Sequence, residues 1–315
     1  MKKQPLVIIT GPTAVGKTDL SVKLAKLIGG EIISADSMQV YRSMDIGSAK
    51  IKQTEMENVP HHLIDILNPD EEFNVYIFQK LARQAMEEII GRGHIPIIAG
   101  GTGFYIQALL YDISFEEEDN GEIRKYYEDL AKEKGNAYLH EMLQKTDPVS
   151  AEEIHENNVK RVIRALEYFD LNKEPISEHN KRQKQKESPY AACYFVLTDD
   201  REKIYERIDR RVDLMLEEGL VEEVAALKEK GYHKGMVSMQ GLGYKEILDY
   251  LDGHLSLEEA VYLIKRDTRH FAKRQLTWFR RERDVIWLDK KEFSYQEEDM
   301  LSFMMDTMKQ KGIDL

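Results

Sequence analysis

An eight-residue segment near the N-terminus constrains the fold more than any other feature of this chain. The segment, Gly11–Thr18, has the pattern G-x-x-x-x-G-K-T, follows the apolar run Leu6–Ile9 and leads into an amphipathic stretch over residues 17–28. Between a strand and a helix, this pattern is typical of loops whose backbone N–H groups and helix N-terminus cradle phosphate. We therefore expect a phosphate-binding loop between the first strand and the first helix of an α/β sheet.

The rest of the chain alternates short apolar runs with amphipathic stretches. The pattern predicts further strands at residues 31–35, at 95–99, around Phe195 and at 285–288. It predicts helices over residues 75–90, 201–230 and 257–281, and one more after Lys290. This alternation is typical of a mostly parallel sheet with helices on both faces. We predict a P-loop NTPase-like α/β core.

Residues 114–188 differ from this core. They begin with the acidic run Glu116–Asp119, show helical periodicity and contain no strong candidate for a strand. A chain of 315 residues has room for two domains. We therefore expect a core formed by residues 1–113 and 189–315, interrupted by an all-helical insertion at 114–188.

The charge balance limits the possible partners. With 57 acidic and 45 basic residues, the chain has a net charge of −12, which argues against nonspecific nucleic-acid binding by the whole surface. Residues 265–283, the basic stretch, are an exception, because eight basic and only two acidic residues interleave there with aromatic ones. Such a stretch suits phosphate contact and base stacking. A solvated helix face with buried aromatic residues is the alternative.

Cysteine usage and the lack of targeting signals narrow the class further. Cys193, the single cysteine, cannot form an intrachain disulfide and lies in an apolar run, where we expect it in the core. The N-terminus lacks a signal-peptide pattern, and the longest uncharged stretch is too polar to span a membrane. We expect a cytoplasmic protein with no membrane partner.

A phosphate loop alone does not identify a reaction, because kinases, hydrolases and group transferases share it. Asp36 follows the second predicted strand, so it should lie beside the loop at the carboxyl edge of the sheet. In a kinase such a carboxylate would be a base for a hydroxyl or a metal partner. An aspartate that caps a turn is the structural alternative.

Segments along almost the whole chain carry a family resemblance. Besides Gly11–Thr18 they are Ile33–Tyr41, Met44–Lys50, Pro60–Asp65, Gly100–Tyr105, Arg161–Glu167, Gln240–Tyr244 and Lys273–Arg280. Together they closely resemble the bacterial tRNA dimethylallyltransferases. The resemblance implies transfer of a dimethylallyl group from dimethylallyl diphosphate to N6 of adenosine 37, next to the tRNA anticodon, with release of diphosphate. It implies the anticodon stem-loop as partner and Mg²⁺ as cofactor, and we expect the chain to act as a monomer.

The resemblance also implies roles for individual residues. The adenine N6 amine is a poor nucleophile, so a carboxylate should help to remove its proton, and Asp36 is the candidate. The other catalytic residues would be Thr13, Lys17 and Arg211. The diphosphate would be held by Gly11, Thr13, Ala14, Val15, Gly16, Lys17, Thr18 and Arg211, with the Thr18 hydroxyl on the Mg²⁺. The tRNA contacts would be Asp36, Ser37, Met38, Gln39, Thr102, Arg124, Arg161, Arg164, Gln240, Lys273, Arg274, Gln275 and Arg280.

Two other classes of function fit parts of the sequence. A small-molecule kinase or an adenylate prenyltransferase would share the phosphate loop and Asp36. Such an enzyme would not need the helical insertion or the basic stretch. A noncatalytic RNA-binding protein or nucleotide switch would not need Asp36 at the loop.

Overall fold

Six parallel strands form the central sheet. The structure is a computed structural model that describes residues 3–114 and 121–313, except for the side chain of Lys184. The strands lie in the order β3-β2-β4-β1-β5-β6, and each neighbouring pair is parallel. They comprise β1 Gln4–Thr10, β2 Gly30–Ser34, β3 His61–His62, β4 Ile95–Gly100, β5 Tyr190–Thr198 and β6 Val285–Asp289. The sheet confirms the predicted mostly parallel α/β class.

The register brings the carboxyl ends of the inner strands to one edge of the sheet. Thr10, the last residue of β1, is opposite Gly100 on β4 and Val196 on β5, and Ser34 at the end of β2 is opposite Ala99. The phosphate loop and Asp36 follow β1 and β2 directly. Parallel strands therefore deliver both segments to the same edge, as the sequence predicts.

Eight α-helices accompany the sheet in the described residues of its unit. They are α1 Lys17–Ile28, α2 Val75–Gly91, α3 Gly103–Leu110, α9 Arg201–Glu217, α10 Leu220–Glu229, α11 Tyr244–Leu251, α12 Leu257–Phe279 and α13 Glu297–Gln310. An apolar core joins α1 and α13 to one layer of strand side chains, among them Ile9, Ile97 and Phe195. A smaller cluster packs α9 and α12 around Ala14 of the phosphate loop.

Residues 113–187 form a second compact unit, and residues 1–112 and 188–315 form the first. The sequence predicts this insertion at 114–188. In its described part the second unit contains helices only, and its core includes Leu139, Leu143, Val162 and Leu166. The acidic run 116–119 lies outside the described residues. The helices are α4 Glu122–Lys134, α5 Asn136–Thr146, α6 Pro148–Glu153, α7 Val159–Asn172 and α8 Ile176–Gln185.

Three local predictions differ from the structure. The long helical region predicted over about 201–230 consists of two helices, because Gly219 adopts a left-handed φ of 101° and separates α9 from α10. The sequence analysis also missed the short helices α3 and α11. It missed β3, because two adjacent histidines do not look like a strand; they pair with Ile32 and Ile33 of β2.

Cys193 is fully buried in β5, which confirms its predicted place in the core. Within residues 3–114 and 121–313, no helix combines the length and the apolar character that crossing a membrane requires.

Candidate active site

The phosphate loop connects β1 to α1 through backbone conformations that few residues tolerate. Gly11 has a φ of 142°, and Gly16, the residue before α1, has a φ of 98°. Both values favour glycine. A Cβ on Gly11 would also collide with the carbonyl oxygen of Leu197 on β5. The two glycines of the motif therefore let the chain turn tightly over the end of the sheet into the N-terminus of α1.

Lys17 folds back over this loop. Its ammonium donates hydrogen bonds to the carbonyl oxygens of Gly11 at 3.1 Å and Pro12 at 2.8 Å. Burial, and then the positive charge of Arg211, lower the pKa of Lys17 to about 7, while Asp36 acts in the opposite direction. An anion bound at the loop would favour the charged ammonium again. The charges of Lys17 and Arg211 beside the loop thus favour a negatively charged ligand.

Asp36 lies in the turn that follows β2. Its Oδ1 accepts a hydrogen bond from the backbone N–H of Met38 at 2.8 Å. Burial raises the pKa of this carboxyl, while the hydrogen bonds from Met38 and Gln39 and the charge of Lys17 lower it. Asp36 therefore caps a turn, and the charge of Lys17 acts on its carboxyl group.

One cavity of about 610 Å³ brings these groups together. This volume is within the range of small-molecule sites. Its wall combines apolar side chains, such as Ile208 and Leu242, with polar and charged ones. The predicted site residues in the wall are Thr13, Lys17, Thr18, Asp36, Ser37, Met38, Gln39, Thr102, Arg211, Gln240, Arg274 and Gln275. The wall does not include Gly11, Ala14, Val15 and Gly16 of the loop, or Lys273 and Arg280 of the basic stretch.

The segment after Asp36 is held by side chains from α10 and α11. The Glu223 carboxylate accepts three backbone hydrogen bonds from residues 45–47, at 2.8, 2.8 and 3.1 Å, and one from the Tyr244 hydroxyl at 2.8 Å. Gly47 and Gly241 have no room for a Cβ, because Tyr244 and Met38 pack against them. The Gln240–Tyr244 motif therefore supports the cavity wall next to Asp36.

Arg207 is a residue of the site that the sequence analysis missed. Its Nε donates to the carbonyl oxygen of Ala14 at 3.0 Å, and its Nη2 pairs with the buried Asp199 at 2.6 Å. Ala14 has a φ of 60°, unusual for a residue with a side chain. The signal was the four-residue spacing from Arg211, which places both arginines on one face of α9.

Gln275 is buried, and both ends of its amide bind backbone groups. Its Oε1 accepts from the N–H of Thr13 at 2.9 Å, and its Nε2 donates to the carbonyl oxygen of Gly101 at 3.0 Å. The sequence analysis implied a contact from Gln275 to tRNA. In the structure both ends of this amide are engaged within the protein.

The basic stretch contains two kinds of cation. Lys265 and Arg269 form ion pairs with Asp213 and Asp209 of α9. Lys273 and Arg280 are exposed and have no carboxylate within ion-pair distance among the described side chains. The unpaired cations are therefore the ones that an incoming polyanion could contact without first breaking an ion pair.

The predicted tRNA contacts in residues 113–187 also differ among themselves. Arg124 and Arg164 both pair with the buried Glu167, at 3.0 and 3.2 Å. Arg161 on α7 is exposed, and no ion pair involves it within the described residues. Two of the three arginines thus contribute to the structure of their own unit.

The described residues contain no group of three or more histidine, cysteine, aspartate or glutamate side chains that could hold a metal ion. Thr18 is exposed in the cavity wall, and its hydroxyl makes no hydrogen bond within the described part of the chain. A hard divalent ion such as Mg²⁺ accepts one protein oxygen when a diphosphate and water supply the others. The residues present therefore fit a metal brought by a diphosphate, with Thr18 as its protein ligand.

Comparisons with known proteins agree with this geometry. The sequence profile of the family described as "IPP transferase" matches residues 39–282, and that of "Isopentenyl transferase" matches residues 4–70. The tRNA dimethylallyltransferase of Lachnoclostridium phytofermentans is 61% identical over 98% of this chain and 99% of its own length. That of Acetivibrio thermocellus is 53% identical over 93% of this chain and 94% of its own length.

Solved structures give the same result. A tRNA isopentenylpyrophosphate transferase from Bacillus halodurans has a TM-score of 0.74 and 45% identity, with 98% of each chain covered. A eukaryotic dimethylallyltransferase solved acting on tRNA has a TM-score of 0.79 and 31% identity, over 91% of this chain and 74% of that one. These likenesses confirm the P-loop-like α/β fold and the resemblance found in the sequence. The chain belongs to the IPP transferase family.

Proposed function

We propose that this chain transfers a dimethylallyl group from dimethylallyl diphosphate to N6 of adenosine 37 in tRNA and releases diphosphate. The observation that carries the proposal is the shared cavity, whose wall contains the phosphate loop, Lys17 and the Asp36 carboxylate. The relatives named tRNA dimethylallyltransferase support the same reaction class. A tRNA substrate fits a protein of the cytoplasm. Because a single chain supplies every residue of the proposed site, we also propose that it acts as a monomer.

The donor diphosphate would bind at the phosphate loop, with the loop backbone of Gly11–Thr18 around it and Lys17 and Arg211 as its cations. Cleavage of the allylic C–O bond leaves both bonding electrons on the diphosphate oxygen. Preorganised cations and N–H groups stabilise such developing negative charge most where water is excluded. The lowered pKa of Lys17 supports this role. Burial disfavours the charged ammonium, and an anion bound at the loop would stabilise it again.

The acceptor would enter the same cavity from the side of Asp36. As the bond between adenine N6 and the allylic carbon forms, the N6 proton passes to the Asp36 carboxylate. Burial raises the pKa of Asp36, which makes it a better base than an exposed aspartate. Ser37, Met38 and Gln39 would contact the adenine, which must leave the anticodon-loop stack to reach the cavity.

Mg²⁺ would be held by the Thr18 hydroxyl and by diphosphate oxygens. When bound, the ion would neutralise charge on the leaving diphosphate. Thr13 would lie at the reacting centre, next to the donor. Thr102, Gln240, Arg274, Lys273 and Arg280 would contact tRNA, as would Arg124, Arg161 and Arg164 of the helical unit.

The proposal is tested by offering the purified protein three acceptors with labelled dimethylallyl diphosphate. The acceptors are an unmodified anticodon stem-loop, the same stem-loop with guanosine at position 37, and AMP. We expect label only in the first, because guanosine has no N6 amine and AMP lacks the stem-loop that the proposed tRNA contacts would bind. Label in AMP would instead indicate an adenylate prenyltransferase. Phosphate transfer from labelled ATP, with no transfer of the prenyl label, would indicate a kinase.

A further inference from the structure

We propose that Gln275 is a positioning residue, whose side-chain amide fixes the position of the phosphate loop relative to the segment that supports Asp36. The inference rests on the proposed function and adds a residue to it. It replaces the tRNA contact that the sequence analysis implied for Gln275. It also gives α12, the helix that carries most of the basic stretch, a role at the phosphate loop.

The first link joins α12 to two loops at once. Gln275 is only 6% exposed, and its amide accepts from the N–H of Thr13 at 2.9 Å while donating to the carbonyl oxygen of Gly101 at 3.0 Å. Thr13 belongs to the phosphate loop, and Gly101 directly follows β4. These residues are 262 and 174 positions away from Gln275 in the sequence. One planar group therefore fixes the distance between the loop after β1 and the loop after β4.

The second link continues from Gly101 to Asp36. Its neighbour Thr102 donates a backbone hydrogen bond to the carbonyl oxygen of Ala35 at 3.2 Å, and the N–H of Ala35 donates to Ala99 at 2.8 Å. The residue that precedes Asp36 is thus bonded on both sides to the end of β4. If the amide of Gln275 were lost, a shift of Gly101 would also displace Asp36. A shift of Thr13 would displace the donor bound at the phosphate loop.

The glutamine amide satisfies both partners at this position, which neither glutamate nor asparagine would do. The amide must offer an acceptor to Thr13 and a donor to Gly101. A glutamate offers acceptors alone when ionised, and an asparagine is one methylene shorter. Gly101 is adapted to the same contact, because a Cβ there would collide with the Nε2 of Gln275. The two residues therefore form a matched pair.

Neighbouring side chains on α12 differ in burial, which separates the proposed RNA contacts from the positioning role of Gln275. Lys273 and Arg274 are exposed, whereas Gln275 is buried. The helix thus exposes both cations, Arg274 in the cavity wall and Lys273 outside it, and presents its buried amide to the two loops. Removing the amide should disturb the reacting groups while leaving the exposed cations available to RNA.

Gln275→Met tests this directly, because methionine has similar length but makes neither hydrogen bond. We measure the single-turnover rate, the affinity for inorganic pyrophosphate by calorimetry and the affinity for tRNA. The rate should fall about 10- to 100-fold, because small misplacements of reacting groups are costly. Pyrophosphate affinity should fall about tenfold, while tRNA affinity should change less than about twofold.

Two further variants distinguish the link from a general loss of packing. Gly101→Ala, which displaces the amide from the opposite side, should reproduce the same pattern. The double variant should lose no more rate or pyrophosphate affinity than either single variant, because both substitutions disrupt the same interaction. As a matched control, Gln79→Met removes a buried amide that donates to Ala108 outside the cavity wall, and should leave rate and affinities unchanged.

Two outcomes would overturn the proposal. A tenfold loss of tRNA affinity with normal pyrophosphate binding would make Gln275 an RNA contact. A normal rate in both Gln275→Met and Gly101→Ala would leave it without a positioning role. If the wild type transferred no prenyl group, but pyrophosphate affinity still fell in Gln275→Met and not in Gln79→Met, the proposed function would fail while the link at the loop stood.

Discussion

The charged groups of the cavity and those of the basic stretch are held in opposite ways. Lys17 and Asp36 are bonded to backbone groups, and burial shifts the pKa of both. Lys273 and Arg280 are exposed and unpaired among the described residues. Stabilising a leaving group requires charges fixed in place, whereas contact with a polyanion requires charges that can release its counterions. The two regions should therefore respond differently to substitution, pH and salt.

Lys17→Ala should cause the largest loss on the donor side. We expect kcat to fall about 10²- to 10³-fold, as for loss of one group that stabilises a developing oxyanion, together with a higher KM for the donor. Steady-state kinetics at varied donor concentration measure both. Lys23→Ala is the control, because Lys23 pairs with Asp19 and Glu297 on the surface of α1. A normal donor KM in Lys17→Ala would place the diphosphate elsewhere.

The pH dependence should also separate the two regions. The lowered pKa of Lys17, about 7, means that its charge is present below this pH and is lost above it, so kcat/KM for the donor should fall on the alkaline side. The raised pKa of Asp36 means that the base form is lost as the pH falls, which adds an acid limb.

Lys17→Arg is the control for this assignment, because guanidinium stays charged and should remove the alkaline limb. An alkaline limb that persists in this variant would belong to another group. The affinity for tRNA, which depends on exposed cations, should change little over the same pH range.

Salt dependence should reveal the basic stretch. We expect Lys273→Ala combined with Arg280→Ala to weaken tRNA binding about tenfold at low salt and to reduce the slope of log affinity against log salt by about 1.5, as for two lost phosphate contacts. At saturating tRNA the turnover should be near normal. The control pair, Lys265→Ala with Arg269→Ala, removes cations already paired with carboxylates and should have a smaller effect. Equal effects of the two pairs would contradict this distinction.

The smallest effects should come from the helical unit. Arg161→Ala should weaken tRNA binding about two- to threefold, the effect of one exposed phosphate contact. Arg124→Ala should affect binding less, because Arg124 is paired with Glu167. Its main effect should be on thermal unfolding of the protein, followed by calorimetry. A larger loss of tRNA affinity in Arg124→Ala than in Arg161→Ala would reverse the assignment.

The local parts of the site could be predicted from the sequence. The G-x-x-x-x-G-K-T pattern is contiguous, so it identifies the loop and Lys17 together with their strand and helix. Asp36 follows from the strand pattern alone, because parallel strands end at one edge of the sheet. Arg211 depended on the family resemblance, since one charge on a helix has no local signal.

The long-range contacts could not be predicted in this way. The bonds of Gln275 to Thr13 and Gly101 join segments that are distant in sequence and depend on how α12 packs against α3, α9 and the phosphate loop. The bond of Arg207 to Ala14 depends likewise on the packing of α9. The break at Gly219 was missed because amphipathic periodicity continues on both sides of it, so only its backbone conformation separates the two helices.

The single-turnover rate of Asp36→Asn, with tRNA and donor both saturating, tests the central claim most directly. Asparagine keeps an oxygen for the N–H of Met38 but cannot take the N6 proton. We predict a rate about 10²- to 10⁴-fold below wild type, the range of general base catalysis. The affinities for tRNA and pyrophosphate should stay within about twofold of wild type. A rate close to wild type would contradict the account and reduce Asp36 to the cap of its turn.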